Sequence, residues 1–301
     1  MIKNINFVSQ FKKANIVSIT IFIISIILIA FKGLNYGIDF KGGTLIELRT
    51  DKSIDTSLIR ESLKTMNLGD VNVKRFGKKG DYLIKVEQKN TSNSSLIPEI
   101  KKTLSDYLNT EVDFRRVENV GPKVSSELLH SSVIAISLAL AAMLFYIWVR
   151  FEWQFSVGSI IALFHDVIIT LGIFSLLSLE INLSIIAAVL TIVGYSMNDT
   201  VVIYDRIREN LLKYNKITIS DIANLSINET LARTIITSAT TLLALFSIYI
   251  LGGEILKGFS FAMILGVIIG TYSSIFVASP ILRFFNVSYK TLEKEEEKIV
   301  P

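Results

Sequence analysis

Asp199 interrupts an apolar stretch before any flanking basic residue appears, Asp166 follows His165 near the middle of another such stretch, and Arg233 opens a third. An ionised side chain on a membrane helix costs about 3 kcal/mol on insertion scales, so those that persist face a bundle interior, find a partner and serve a function. The segment Gly194 to Asn210, GYSMNDTVVIYDRIREN, continues the apolar run Ile181 to Val193 without a break. On a helix Thr191, Tyr195, Asp199, Val202 and Arg206 share one face by their spacing of three or four. Thr237, Thr240, Thr241 and Ala244 repeat behind Arg233 with the same period. Two striped helices facing each other would bring Asp199 to Arg233, and proton or ion coupling is the chemistry such a pair supports. A static ion pair fixing helix register is the competing reading, weakened because buried pairs are poor stabilisers compared with apolar packing.

His165-Asp166 sits near the middle of its run, where no other polar residue except Thr170 is close. The pair reads either as a relay or gate for protons, or as a hydrogen-bonding pair that ties helices together. Both readings stand at this level. No nucleophile, base and orienting residue occur together and no nucleotide-binding motif is present, so an enzyme is not expected.

The elements that must position these groups follow from composition. Half of the 301 residues are apolar, which points to a polytopic membrane protein. A net charge of +4 without a basic stripe interleaved with aromatics gives no case for nucleic acid. The chain has no Cys and two His, which removes disulfides, thiolate metal sites and a Cys nucleophile, and leaves no His-based metal site to expect. No cofactor is implied.

After a short basic segment, residues 1–13, the run 14–31 is about long enough to span a bilayer; Ile29-Ala30-Phe31-Lys32 offers no small-x-small cleavage site, so it reads as an uncleaved first span. Residues 32–127 have the composition of a water-exposed domain. Alternation over Thr44 to Thr50, Val71 to Phe76, Tyr82 to Glu87 and Val112 to Val117 predicts strands, and the spacing of Ile54 to Leu63 and of Leu96 to Leu108 predicts helices. That order, strand, helix, strand, strand, helix, strand, is the split βαβ or ferredoxin-like motif. Tyr36 to Gly43, with Asp39, Gly42 and Gly43, reads as a tight turn and hinge rather than a phosphate cradle, since the P-loop spacing is missing. Val120-Gly121-Pro122 reads as a second such joint, so the domain could move as a body.

Further spans are predicted at 129–149, 155–177, 181–204, 233–251 and 259–285, with a loop at 205–232 and a solvated tail at 286–301. Lys3, Lys12, Lys13, Arg150, Arg206, Arg208, Lys213, Lys216, Lys290, Lys294 and Lys298 fall on the side shared by both termini; the positive-inside rule makes that side cytoplasmic. The last span carries Ala262, Gly266, Gly270, Ser274 and Ala278 every four positions, a ridge for close helix packing. The fold class is therefore an α-helical polytopic membrane protein with six transmembrane helices and one α+β ferredoxin-like domain between the first two.

Taken together and in order, Tyr36-Gly37-Ile38-Asp39-Phe40-Lys41-Gly42-Gly43, Gly121-Pro122, His165-Asp166-Val167, Gly194-Tyr195-Ser196-Met197-Asn198-Asp199-Thr200, Asp205-Arg206-Ile207-Arg208-Glu209-Asn210 and Arg233-Thr234 through Thr237-Ser238 resemble the SecF protein-export membrane proteins of the SecD/SecF family. The resemblance implies a half bundle of the resistance-nodulation-division superfamily in the bacterial inner membrane, with the inserted domain in the periplasm. It implies SecD and the SecYEG translocon as partners, with YajC and YidC beyond them, unfolded preproteins as cargo, and the proton-motive force as the energy source in place of a cofactor. It carries the proton pathway onto Asp199 and Arg233, and marks Asp39, Gly42, Gly43, Gly194, Asn198, Asp205 and Arg206 as motif positions. A single six-span unit resembles separate SecF rather than a fused SecD-SecF chain. The rival readings are half of a small-molecule or lipid exporter of the same superfamily, and a scaffold that conducts nothing.

Overall fold

The computed structural model describes residues 5–66, 68–69, 71–75, 77–86, 96–214, 216–289 and 291–292. Phe76 and Glu87 at the ends of two predicted strands, Lys3, Lys290 and the charged tail past residue 292 lie outside the described residues.

A 3-10 turn, Val8–Gln10, leads into α1 (Phe11–Lys32), which Gly33 ends at φ 74°. A two-residue strand β1 (Asn35–Tyr36) and a single helical turn α2 (Ile38–Lys41) precede β2 (Gly43–Thr50), α3 (Thr56–Lys64), β3 (Val71–Arg75), β4 (Asp81–Val86), α4 (Leu96–Leu108) and β5 (Val112–Val120). Then come α5 (Pro122–Arg150), α6 (Trp153–Leu176), the short strand β6 (Glu180–Ile181), α7 (Leu183–Lys213), α8 (Ile219–Leu251) and α9 (Gly253–Ser273). A π turn, Ser274–Ala278, joins α9 to α10 (Ser279–Phe284). The chain divides into two compact units. One contains Met1–Asn35, Ala135–Leu179 and Ser184–Pro301; the other contains Tyr36–Ile134 with Glu180–Leu183.

In the second unit the sheet order is β3-β4-β2-β5, with every pairing antiparallel. This is the strand arrangement of the split βαβ unit. Pleat alternation and register agree: Ile46 lies opposite Ile84 and Leu48 opposite Tyr82, and these four pack with Ile59, Leu63, Ile100 and Leu104 into one buried cluster. A bulge between Glu47 and Leu48 absorbs the register shift against β5. The Asp55 side chain caps α3 by accepting from Ser57 N at 2.9 Å. The buried Tyr82 hydroxyl is satisfied at the backbone of Ile54, donating to its carbonyl at 2.7 Å.

In the first unit, α6, α7 and α9 form the interior, with 56%, 50% and 61% of their most apolar stretches buried; α1, α5 and α8 have 11%, 11% and 17% and present apolar side chains outward. Among the described residues six helices are long and apolar enough to cross a membrane. The small-residue ridge faces α7: a Cβ on Gly266 would overlap the Ile192 side chain, and one on Gly270 would come within 2.9 Å of Ser196 Cβ. Gly172 of α6 admits Ser25 of α1 in the same way, and Gly158 lies under the Tyr204 hydroxyl, which donates to Ala278 O at 2.8 Å.

Two expectations need correcting. The segment 205–232 is not a loop: α7 continues to Lys213 and α8 starts at Ile219, where the Thr218 side chain accepts from Asp221 N. Polar residues at helical spacing extend these helices past the apolar runs that marked their spans. Nor is Gly121-Pro122 a second joint at the unit boundary. Proline in the first turn suits helix initiation, and α5 runs unbroken through the division between Ile134 and Ala135.

Gly266→Leu is expected to lower stability to unfolding in detergent by about 1–3 kcal/mol, the usual cost of overpacking. Gly194→Ala serves as the contrast, since a Cβ there meets open space; equal losses would refute the close α7–α9 contact. In the sheet, Arg49 donates to Asp81 Oδ2 at 2.6 Å and pairs with Oδ1, which holds the Asp81 carboxyl below the usual carboxylate range. A depressed folded value means that this contribution is complete above the unfolded pKa near 3.9 and is lost as pH falls through the folded one. Acidification below about pH 4 should therefore reduce hydrogen-exchange protection of β2 and β4, and Arg49→Met should remove that acid-dependent part; an unchanged acid profile in the variant would count against it.

Candidate functional site

Asp199 lies on the inner face of α7 and is 3% exposed. Its contact is Thr271 of α9, whose hydroxyl donates to Oδ2 over a long 3.4 Å. Thr271 also shares a 2.8 Å hydrogen bond with Ser238 of α8. Arg233 does not close on Asp199: among the described residues no hydrogen bond or ion pair joins them, and Arg233 is exposed on α8. Since α8 starts at Ile219, Arg233 sits well inside that helix rather than at its opening. The predicted facing of the two stripes is realised lower down, where Tyr195 Oη meets Thr241 Oγ1 at 3.4 Å. Asp199 thus has a hydroxyl partner from α9 where a guanidinium from α8 was expected, because the glycine ridge brings α9 against α7.

His165-Asp166 forms a second polar centre. Asp166 is 1% exposed, and its Oδ2 accepts from Ser196 Oγ of α7 at 2.5 Å and from Ser273 Oγ of α9 at 2.7 Å. Nδ1 of His165 lies 2.9 Å from Oδ1. One carboxylate therefore ties three interior helices together. The imidazole stacks on Phe22 of α1 at 6.2 Å, and its Nε2 is buried without a hydrogen-bond partner among the described residues. Ser196, Ser273 and Thr271 were absent from the sequence-based candidates, although Ser273 and Thr271 follow Gly266 and Gly270 closely and could have been read as the polar continuation of the ridge.

The motif residues divide by role. Asp205 pairs with Arg150 at 2.7 Å, and Arg208 with the buried Glu152 at 3.1 Å, fastening the α5–α6 connection to the end of α7. Arg206 reaches Glu229 at 2.7 Å and Glu209 at 2.6 Å, while Asn210 donates to Glu229 at 2.7 Å and Ser226 at 2.9 Å. Asp205 and Arg206 therefore brace helix ends and do not touch Asp199. Gly194 and Asn198, four residues apart, lie away from the buried face of α7, and Asn198 is exposed.

In the outer unit Gly42 and Gly43 have φ of 77° and 130°, the left-handed region that favours glycine. Asp39 Oδ2 accepts from Leu183 N at 2.9 Å and so caps α7. Gly37 N donates to Ile181 O at 2.8 Å, and Lys85 forms an ion pair with Glu180. Among the described residues no three His, Cys, Asp or Glu side chains gather as a metal site.

Residues 99–288 match the family described as protein export membrane protein SecD/SecF, C-terminal, and residues 27–54 match the SecD/SecF GG motif. The chain belongs to the SecD/SecF family of protein-export membrane proteins. Relatives include the protein translocase subunit SecF of Rickettsia bellii (strain OSU 85-389), 48% identical over 278 residues and covering 92% of each chain. That of Cereibacter sphaeroides is 44% identical over 263 residues, covering 85% of this chain and 81% of the relative. Among solved structures, SecDF from Thermus thermophilus, titled a translocon-associated membrane protein, superposes with a TM-score of 0.86 at 34% identity over 94% of this chain. The SecD/SecF-family chain spans 39% of that SecDF chain, so it corresponds to about two fifths of the fused protein. With six candidate membrane helices it is a multi-pass membrane protein.

Asp166→Ala strands the Ser196 hydroxyl and an imidazole and leaves Ser273 only the carbonyl of Gly270 at 3.1 Å, and leaving buried polar groups unpaired costs about 1–3 kcal/mol each. It should lower the detergent unfolding midpoint more than Ser196→Ala or Ser273→Ala, and the two serine changes should be non-additive in a double-mutant cycle because they share one acceptor. Additive serine effects with a silent Asp166→Ala would dissolve the cluster.

Proposed function

We propose that the chain is the SecF-type auxiliary subunit of bacterial protein export, working in the inner membrane with SecD and the SecYEG translocon, and with YajC and YidC around them. It uses the proton-motive force to promote passage of unfolded preproteins. Both termini face the cytoplasm and the split βαβ domain faces the periplasm, as the basic residues flanking the spans favour. The role is transport and no bond of the cargo is broken.

The observation that carries this reading is Asp199: a carboxylate 3% exposed inside a membrane helix with one long hydroxyl contact. Such a group is weakly committed to any single partner, which suits a site that changes protonation. Arg233, exposed on a helix whose neighbours Ile235 and Ile236 are also exposed, supports a partner helix bundle covering that face. With Arg233 near, the carboxylate is favoured; with the two apart, burial favours the acid, so protonation and helix movement are coupled. A proton crossing 100 mV releases about 2.3 kcal/mol, enough to bias a two-state movement about fifty-fold. The outer part, a single four-stranded unit on six spans, favours this reading over half of a small-molecule or lipid exporter.

Asp199→Asn keeps size and hydrogen bonding and removes titration. In inverted membrane vesicles at matched protein levels it should retain SecD and lose the uncoupler-sensitive part of preprotein export, with Arg233→Met giving a similar loss. Full uncoupler-sensitive transport in Asp199→Asn would make the residue structural and favour a scaffold.

A further inference from the structure

A groove of about 410 Å³ lies between α1, α6 and the end of the last span. Asn15, Ile19 and Phe22 line it from α1, Ile161 from α6, and Ile281 and Phe284 from α10. Ile19, Ile161 and Phe284 are all exposed, Phe284 by 81%, so the groove opens sideways on the apolar outer surface of the bundle. Phe22 and His165, stacked at 6.2 Å, stand at its inner end. One turn further along α1, Ser25 seats against Gly172, where a Cβ on α6 would overlap it, and the two helices close on each other. From Lys12 to Phe22 the helix rises about 15 Å at 1.5 Å per residue, half of the ~30 Å hydrocarbon layer. The groove is therefore one leaflet deep, at the end of the bundle that carries both termini. Its walls are fixed: Ser18 donates to Tyr272 Oη at 3.0 Å, and the Tyr272 hydroxyl donates to Ala14 O at 3.0 Å.

The mouth has a different chemistry from the walls. The Asn15 carboxamide makes no hydrogen bond among the described residues. Lys12 precedes Asn15 by one turn on the same face of α1, with Lys13 beside it, and Arg283 lies in the last turn of α10 next to Phe284. All three basic side chains are exposed, and none forms an ion pair among the described residues. No acidic residue occurs in 1–31 or in 259–292, and Glu152 at the start of α6 is committed to Arg208. Trp153, half exposed at the start of α6, packs edge-on against Phe285 at 5.2 Å. Tryptophan favours the headgroup level of a bilayer, which places this mouth at the membrane surface.

These features select the occupant. A partner's transmembrane helix needs about 20 residues of contact through the whole hydrocarbon layer, and this groove stops halfway at Phe22. A purely apolar molecule leaves three unpaired cations and an amide at the mouth without a role. We propose that the groove binds an anionic glycerophospholipid from the leaflet on the side of the termini. One acyl chain lies along Ile19, Ile161 and Ile281 and ends against Phe22. The phosphate meets Lys12 and Arg283, a point charge and a planar fork that both suit it, and the Asn15 amide donates to an ester carbonyl just below. A zwitterionic headgroup brings its own cation to the same phosphate and so gains less from these side chains. The lipid fills the gap where α1 parts from α6, so it completes the seat of a helix that is otherwise little buried. The site is separate from Asp199 and independent of proton coupling.

The test uses the full chain, co-purified with its membrane partners and returned to phosphatidylcholine bilayers. These contain a small fraction of phosphatidylglycerol with a photoreactive diazirine midway along one acyl chain. Crosslinks should concentrate on the peptides holding Ile19 to Phe22 and Ile281 to Phe284, and phosphatidylcholine carrying the same chain should label them at least tenfold less. Lys12→Gln and Arg283→Gln, both at exposed positions, should each lower the phosphatidylglycerol signal about fivefold, the weight of one basic residue beside an anionic headgroup. Both should leave the phosphatidylcholine signal unchanged. Ile281→Trp fills the groove and should abolish labelling by either lipid, as should Ile161→Trp on the exposed rim. Leu138→Trp, 65% exposed on the outer face of α5, should leave labelling intact. Crosslinks spread evenly over α5 and α8 would show ordinary boundary lipid and refute the site. Equal labelling by the two lipids, or an unchanged signal in the Lys12→Gln, Arg283→Gln pair, would overturn the headgroup assignment. A crosslink from these peptides to a partner protein in place of lipid would give the groove to that partner and refute the proposal.

Discussion

Close approach of α9 to α7 is the contact on which the rest of the bundle depends. Helices that carry ordinary side chains at their crossing stay about 8–10 Å apart, and a hydroxyl as short as that of threonine does not reach across such a gap to an aspartate. Gly266 and Gly270 remove the side chains at the crossing, with Ile192 and Ser196 filling the vacated space. Only then does Thr271 come within hydrogen-bonding distance of Asp199 on α7, while Ser273 of the same helix meets Asp166 on α6. In a membrane, where apolar contact alone brings little net gain over lipid, such packing together with interhelical hydrogen bonds is what holds helices to each other.

The two aspartates respond differently to this shared constraint. Asp166 is saturated by donors from three sides and acts as a knot. Asp199, one turn further along α7 from Ser196, has one long hydrogen bond among the described residues, so its surroundings can change with less loss. Three interior helices thus have one firm tie and one loose one, and the loose one lies nearer to the exposed Arg233 helix, α8. Rigidity around a site and freedom at it are supplied by the same three helices.

Much of the fold was legible because its signals were long and periodic. Apolar runs of twenty residues leave little choice but a span, and alternation in Thr44 to Thr50 matched β2. The burial of Asp199 was legible from its position, whereas its partner was not. Periodicity assigns a residue to a face of its own helix but is silent on which neighbour that face meets, and in sequence a guanidinium is a more conspicuous partner than a threonine. The helical character of 205–232 is hidden for a related reason: hydropathy marks where a helix leaves the apolar layer, while Arg206, Asn210 and Glu229 continue it through ion pairs and amide contacts. Asp39 could be placed in a tight turn from its glycines, but its service as a cap on α7, 144 residues away in sequence, required the tertiary structure.

The π turn at Ser274–Ala278 has a bearing on how the last span tolerates change. A π turn accommodates one residue more than an α-helix would over the same rise, and with 3.6 residues per turn that extra residue rotates everything after it by about 100°. The loosened backbone is held by Ser279 Oγ bonding to Ser274 O at 3.0 Å and by the Tyr204 hydroxyl on Ala278 O. The helix before the turn and the helix after it are therefore clocked separately: the first is phased so that Gly266 and Gly270 meet α7 and Ser273 meets Asp166 of α6, the second so that Ile281 and Phe284 line, with His165, a cavity of about 410 Å³. Deletion of a single residue in this segment would leave length and hydropathy almost untouched while turning one of the two faces away from its target. The span is thus more sensitive to insertions and deletions here than to most substitutions.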